Sequence, residues 1–328
     1  MKNVGIIAGG FSSEYKISVL SATNIKNNFP KGYNVYLLLM DKSGWKVQLN
    51  DNTTIPVDIT NLSFDLEGNN IKIDVAIIYI HGDPGENGKI QSYLEMIDIP
   101  YINSGPLASQ LSFDKWYCNQ FLKGFGFNVA DSIYLKSANE KVDENAIIER
   151  LRLPLFVKPC DSGSSFGISR VNKSEDLKSA IENAFKEGRT VVLERFLAGT
   201  EVTCGAYRSR NGLQALPLVE IVSENEFFDY QAKYEGLSQE ITPARISDEL
   251  TLEVQRITKE VYNLLKLRSV ARIDFMIENG IPYIIEVNTT PGFSSESIVP
   301  KMLKQAGKTV EQLWQEIIDV EFIDSQLH

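Results

Sequence analysis

The chain has 328 residues, and at roughly 150 residues per domain it should fold as two to three domains, each large enough to bury a core. Its 33 Lys and Arg against 43 Asp and Glu leave a formal charge of −10, which argues against a protein that coats nucleic acid or an anionic membrane; a polyanionic ligand would need a local cluster of cations. With 43% hydrophobic and 23% charged residues the composition is that of an ordinary globular protein, which excludes disorder and fibrous repeats.

In chain order, VGIIAGG ending at Gly10 reads as a strand, residues 14–27 as a helix, YNVYLLLM and DVAIIYI as strands, and residues 90–96 as a helix. Short apolar runs separated by helices predict an open parallel α/β sheet. Gly9-Gly10 and His81-Gly82 end two of these strands, which places both loops at the carboxyl edge, where such sheets bind ligands. From about Asn103 the pattern changes to a helix over 115–123, strand LPLFVKP, a Gly/Ser turn, strand ISRV, an amphipathic helix over 175–186 and strand VVLERF, a compact α+β unit. Strands TEVTCGAYR and ALPLVEIV follow, then a polar loop over 225–239 and a helix over 248–266 with apolar Leu252, Ile257, Val261, Leu264 and Leu265. A hairpin and a helix near 310–320 complete the chain. The expected units are 1–103, 104–194 and 195–328.

Three cysteines (Cys118, Cys160, Cys204) are too few and too scattered for a disulfide framework or a thiolate metal site. His81 and His328 leave a zinc site or a Ser-His-Asp triad resting on one internal imidazole. The apolar run at residues 4–8 is shorter than a signal-peptide core, and no stretch approaches 18 apolar residues, so a soluble, cytoplasmic protein with reduced thiols is expected.

The richest segment is VARIDFMIENGIPYIIEVNTTPG, two β-rich runs around Asn279-Gly280, a strong hairpin signal. Side chains alternate across a strand, so Arg272 and Asp274 share one face and Glu286 and Asn288 share a face of the return strand. If Ala271, Ile273, Phe275, Ile285 and Val287 face the core, the four polar residues gather on one exposed face. Oxygen ligands without His or Cys suit a hard divalent cation such as Mg²⁺ that also binds phosphates, with Arg272 as a neighbouring electrophile. A sheet with a plainly solvated polar face has the same alternation.

In LPLFVKPCDSGSSFGISRV, Lys158 ends a strand before a loop containing Gly163, Ser164, Ser165 and Gly167, whose small residues let backbone amides and hydroxyls approach phosphate oxygens; a flexible hairpin turn would look similar. It is not a Walker A loop, because no Gly-Lys-Ser/Thr precedes a helix, and Gly9-Gly10 is not a dinucleotide fingerprint, because the third glycine is absent. Lys115, Lys158, Lys233 and Arg272 would supply the local cations. Glu194, Gly199 and Glu201 suit a hinge that reads adenine and ribose, and Glu14 sits in the first turn of a helix, where the dipole alone favours a carboxylate.

Taken in order, GGFSSE, HGDPGENGKIQSYLE, LSFDKW, FVKPCDSGSSFG, VLERFLAGTEVTCG, FFDYQAKY, ITPAR, ARIDF and EVNTTPGFSSES resemble the D-alanine:D-alanine ligases of the ATP-grasp superfamily almost end to end, in a flavour similar to Bacteroidetes enzymes. The resemblance implies a three-domain ATP-grasp architecture and ATP-dependent ligation of two D-alanines through a D-alanyl phosphate, for peptidoglycan precursor synthesis. It implies that Lys115, Lys158, Ser165 and Lys233 hold the ATP phosphates, Glu194 and the backbone of Arg195, Phe196 and Leu197 the adenine, and Glu201 the ribose. Asp274, Glu286 and Asn288 would hold two Mg²⁺ or Mn²⁺. Glu14, set with Ser164 and Tyr234 and flanked by His81, would take the first D-alanine; Ser297 and the Ile298 backbone the second; Arg272 and the Gly292 amide would stabilise the oxyanion. The 225–239 loop would close over the site, and a homodimer is expected by resemblance. Lys233-Tyr234 is the pair associated with D-alanine as second substrate. Ser162, Asn87 and Ser92 depart from the residues common in the family, and Glu296, beside Ser297, is expected to point away from a substrate carboxylate. A ligase for another amino-acid pair and a catalytically dead nucleotide-binding protein are the competing possibilities.

Overall fold

The computed structural model describes residues 1–50, 53–163, 166–223 and 238–323. Ser164, Ser165, Lys233 and Tyr234 lie outside these residues, as does most of the 225–239 loop.

The first sheet uses β1 (Lys2–Gly9), β2 (Tyr33–Asp41), β3 (Gly44–Asn50), β4 (Thr53–Pro56), β7 (Val75–Ile78) and β8 (Tyr101–Ile102), in the order β4-β3-β2-β1-β7-β8; β5 (Ser63–Leu66) and β6 (Asn69–Lys72) form a separate hairpin. Strands β2, β1, β7 and β8 run parallel. Val4, Ile6, Ile7 and Ala8 are fully buried because both faces of a parallel sheet are covered. The antiparallel additions β3 and β4 carry no helix-strand alternation and were not anticipated from the sequence. β1 leads through α1 (Tyr15–Asn27) to one side of the sheet and β7 through α2 (Lys89–Met96) to the other. The connection therefore reverses between β1 and β7, which opens a crevice at their carboxyl ends.

Next come α3 (Pro106–Phe113), α4 (Lys115–Gly124), β9 (Ser132–Leu135), α5 (Glu144–Leu151), β10 (Leu155–Pro159), β11 (Ser169–Val171), α6 (Leu177–Glu187) and β12 (Val191–Arg195). The strands form an antiparallel sheet, β11-β10-β12-β9. α6 buries Leu177, Ala180, Ile181 and Ala184, a stripe at helical spacing, in a core shared with Leu151, Val157 and Leu193. α3 and α4 pack elsewhere: Ala108, Cys118 and Leu122 belong to the core of the third sheet.

That sheet comprises β13 (Thr200–Ser209), β14 (Gly212–Ala215), β15 (Val219–Ser223), β16 (Ser238–Ile241), β17 (Ala271–Glu278) and β18 (Ile281–Asn288), in the antiparallel order β16-β15-β13-β17-β18 with β14 on β13. Ser238 and Gln239, expected in a loop, begin β16. The β17–β18 turn has positive φ at Asn279 (53°) and Gly280 (77°), the geometry that makes Asn-Gly favourable in two-residue hairpins. The helix Asp248–Leu264 buries Val254, Ile257 and Val261, whereas Leu252 is 66% exposed, since two residues of offset carry it off the apolar stripe.

The helices Ile298–Gln305 and Val310–Ile318 close the fold, the latter begun by a capping box between Thr309 and Gln312. Their buried side chains join the first sheet: Val4, Ile6 and Ile77 share one core with Phe293, Met302 and Trp314. Tyr79, Phe293 and Trp314 meet edge-on, with ring centroids 5.8–6.1 Å apart. Trp314→Ala should therefore cost about 3–5 kcal/mol and lower the thermal midpoint of the whole chain; an unchanged melting curve would contradict a shared core.

Candidate active site

One large cleft collects residues from all three sheets. The parallel sheet contributes Glu14, His81 and Glu86; the central sheet Phe156, Lys158, Ser162, Gly163 and Phe196; the third sheet Glu201, Arg272, Asp274, Glu286 and Asn288, with Gly292, Ser297 and Ile298 beyond it.

The hairpin pairs Arg272 with Asn288 and Asp274 with Glu286, so the four polar residues gather as expected. They are not on an exposed face: Asp274 is only 8% exposed and the other three are half-buried. A register shift after Asp274 pairs Phe275 with Ile284, leaving Ile285 as the extra residue. The bulge re-aims Ile285, expected on the core face, so that it lines the cleft.

Charges in the cleft are paired. Arg272 donates Nε to Asp274 Oδ1 at 2.8 Å and a terminal nitrogen to Oδ2 at 2.7 Å; Thr203 and Asn288 donate to the same carboxylate at 2.5 and 3.1 Å. Lys158, beside Phe156, is 2.6 Å from Glu194. Lys115, the first residue of α4, donates to the Ser162 carbonyl at 2.7 Å and lies 3.5 Å from Glu286. Burial alone would pull the Lys115 ammonium down, but the Glu286 carboxylate, with Cys160 and Glu194 behind it, offsets this and the pKa rises. Among the described residues no three His, Cys, Asp or Glu side chains cluster as a metal site. Asp274, Glu286 and Asn288 form a set of two carboxylates and an amide, all hard oxygen donors, which fits Mg²⁺ or Mn²⁺ and not a softer metal.

Gly163 passes so close to Glu14 that a side chain there would displace the Glu14 carboxylate from its position in the cleft. Ser297 occupies the N-cap position of the Ile298–Gln305 helix without a side-chain cap bond, and its hydroxyl lies 2.8 Å from that of Ser294, leaving a helix N-terminus facing the cleft. Glu296, expected to point away, lines the cleft at an exposed position, where solvent screens its charge. Arg195 is drawn from the cleft into a bidentate pair with Glu278, so only its backbone remains for a ligand. Of the departures, Asn87 donates to Asp83 at 2.5 Å, Ser92 is exposed on α2, and Ser162 presents its carbonyl to Lys115.

The apolar walls Phe156, Ile168, Met276 and Ile285 were missed, although Phe156 stands two residues before Lys158 and Met276 two after Asp274, the same-face spacing of a strand. Glu86 was also missed. It accepts the Gly82 N–H at 2.8 Å, and burial, reinforced by the Glu14 carboxylate, pushes its pKa up to about 8. Burial lowers His81, whose imidazole is neutral at pH 7. Burial also pushes the Cys118, Cys160 and Cys204 thiols up to about 12, so no thiolate nucleophile is available there.

A cleft with apolar walls and lysines, lined by two antiparallel sheets and the end of a parallel one, is the arrangement of the ATP-grasp class. Comparison with known proteins narrows this. The family models described as D-ala D-ala ligase N-terminus and D-ala D-ala ligase C-terminus match residues 3–104 and 121–319. The D-alanine–D-alanine ligase of Porphyromonas gingivalis is 45% identical over 312 residues, 94% of each chain. The crystal structure of D-alanyl-alanine synthetase A from Vibrio cholerae superposes with a TM-score of 0.87 at 27% identity over 98% of both chains. The ATP complex of Bacillus anthracis D-alanine–D-alanine ligase gives 0.79 at 27% identity, covering 100% of this chain and 99% of that one. The chain belongs to the D-alanine–D-alanine ligase family.

The Glu86 shift has a stability consequence. Its folded pKa lies above the unfolded value, so the folded state binds the extra proton, and stability is lost as pH rises from about 5 through 8. Glu86→Gln, which cannot ionise, should match wild type near pH 5 and melt progressively higher than wild type toward pH 8.5; parallel melting temperatures across that range would sink the assignment.

Proposed function

We propose that the protein joins two D-alanine molecules to D-alanyl-D-alanine at the expense of ATP, releasing ADP and phosphate for peptidoglycan precursor synthesis. The observation that carries the proposal is the convergence, in one cleft, of Lys115, Lys158 and Arg272 with Asp274, Glu286 and Asn288, opposite Glu14 and the helix start at Ser297. Such a cleft can neutralise a triphosphate and orient two zwitterions without a protein nucleophile.

In this reading Lys115 and Lys158 bind the phosphates, their carboxylate partners being free to trade them for other ligands, and Phe156, Phe196, Leu197 and Ile285 enclose the base beside Glu194, with Glu201 at the ribose. Ser165 and Lys233 complete the phosphate contacts. Asp274, Glu286 and Asn288 would hold the divalent cations, which supply charge neutralisation at the phosphates. Glu14 takes the ammonium of the first D-alanine, in a set with Ser164 and Tyr234, and His81 supports the pocket wall as a neutral imidazole. One carboxylate oxygen of that D-alanine attacks the γ-phosphorus and ADP leaves. The Ser297 hydroxyl and the Ile298 N–H hold the second D-alanine carboxylate, placing its amine over the acyl phosphate. The amine nitrogen attacks the carbonyl carbon and loses a proton, the carbonyl becomes an oxyanion facing Arg272 and the Gly292 N–H, and collapse breaks the bond to phosphate. The 225–239 loop would exclude water.

We further propose the units 1–103, 104–194 and 195–328, with α3 and α4 at the start of the second packed on the core of the third, and ATP between these two. Family likeness supports a cytoplasmic homodimer; among the described residues no helix is long and apolar enough to cross a membrane.

Incubation of the purified chain with ATP, Mg²⁺ and D-alanine should yield the dipeptide with one ADP and one phosphate per bond formed, and a substrate panel should favour D-alanine in both positions. Absence of dipeptide from D-alanine alone would refute the proposal. Asp274→Asn and Glu286→Gln should lower turnover by about 100-fold or more, the several kcal/mol that charge stabilisation supplies, with an unchanged circular dichroism spectrum; wild-type rates in either would remove these residues from the metal site.

A further inference from the structure

The turn at residues 289–293 follows β18 in the chain, yet side chains from the first sheet and its helix shape it. Asn103 donates to the Thr290 hydroxyl at 3.1 Å, and the His81 imidazole Nε2 lies 3.3 Å from the Ser21 hydroxyl. The Tyr79 hydroxyl donates to the Pro291 carbonyl at 2.9 Å. Ser21 accepts the Phe293 N–H at 3.0 Å, and Asn24 donates to the Phe293 carbonyl at 2.8 Å. Ser21 lies one turn beyond Ser18 on α1; both are fully buried, and Ser18 in turn donates to the Tyr79 carbonyl at 2.7 Å. Buried hydroxyls on a helix are retained when each has a partner, and here the partners are the turn, the strand end that holds it and, for Ser21, also the His81 imidazole, so Tyr79→Phe is a cleaner substitution than Ser21→Ala.

The geometry has a specific consequence at Gly292. The Pro291 carbonyl and the Gly292 N–H belong to one planar trans peptide and point in opposite directions. Tyr79, by fixing the carbonyl, fixes the direction of that N–H. The next peptide plane is fixed by Ser21 through the Phe293 N–H. Among the described residues no acceptor takes the Gly292 N–H, and Gly292 lines the cleft together with Arg272.

We propose that Tyr79 and Ser21 are positioning residues for amide-bond formation: they hold the two peptide planes flanking Gly292 so that its N–H is aimed at the developing oxyanion. The inference rests on the reading above that this N–H is an oxyanion donor. It assigns a role in the second chemical step to two side chains that touch neither substrate nor nucleotide. Phosphoryl transfer to the first D-alanine develops no tetrahedral carbon, so it does not need this donor.

The test separates the two steps in Tyr79→Phe, which keeps the ring packed against Phe293 and Trp314, and in Ser21→Ala. The D-alanine-dependent burst of ADP should stay within about twofold of wild type, while dipeptide formation should slow by roughly 10–100-fold, less than the loss of an entire oxyanion donor. Affinity for a phosphinate dipeptide analogue, tetrahedral and anionic at the reacting centre, should fall by a similar factor while KM for ATP holds. Equal slowing of both steps would overturn the inference in favour of a purely structural role. So would wild-type dipeptide formation in both variants when the wild-type enzyme binds the phosphinate tightly. If the wild-type enzyme itself shows no preference for the phosphinate over the dipeptide, the oxyanion reading fails and the inference falls with it.

Discussion

Everything in the cleft depends on keeping charge paired inside an acidic chain. Lys158 with Glu194, Lys115 with Glu286 and Arg272 with Asp274 are each half-buried or deeper, where an unpartnered ammonium or carboxylate would cost several kcal/mol. Pairing satisfies that constraint before any ligand arrives. It also means that each of these cations is held in place by an acid and each acid by a cation, so both signs of charge stand preformed in the cleft.

A second constraint links the cleft to the fold. The Thr290–Phe293 turn would be an ordinary exit from a hairpin if it were not packed on the first sheet. The Tyr79, Phe293 and Trp314 rings make that contact apolar and continuous with the main core. The hydrogen bonds from α1 and the end of β7 then give it direction. Apolar contact supplies most of the affinity between the two parts, and the polar contacts select one geometry among those that would bury similar area. The central sheet, with its own core of Leu151, Val157, Leu193 and α6, is the part least tied to this arrangement.

Glu86 and the buried thiols show how the same environment silences groups that would otherwise be reactive. Desolvation raises a carboxyl toward 8 and three thiols toward 12, and it keeps His81 neutral. A cleft of this kind suits chemistry driven by neutralisation and orientation, and it has no use for a covalent enzyme intermediate.

The sequence by itself determined the elements with clear periodicity, the Asn-Gly hairpin, the acid cluster on one face of it, and the family. These are local facts, since alternation, turn chemistry and short motifs are properties of neighbouring residues. Ile285 shows where that locality ends: strict alternation put it in the core, but a bulge set by its partner strand turned it into the cleft. Leu252 and Glu296 differ for the same reason, because which face of a helix is covered and where a loop residue meets solvent are settled by what packs against them. Tyr79, Asn24 and Ser21 reach the 289–293 turn across 212, 269 and 272 residues of chain. No short-range pattern marks such pairs. Only the packing of the first sheet on the last helices decided that a serine and an asparagine on a helix, and a tyrosine at a strand end, would meet one peptide turn and set its peptide planes.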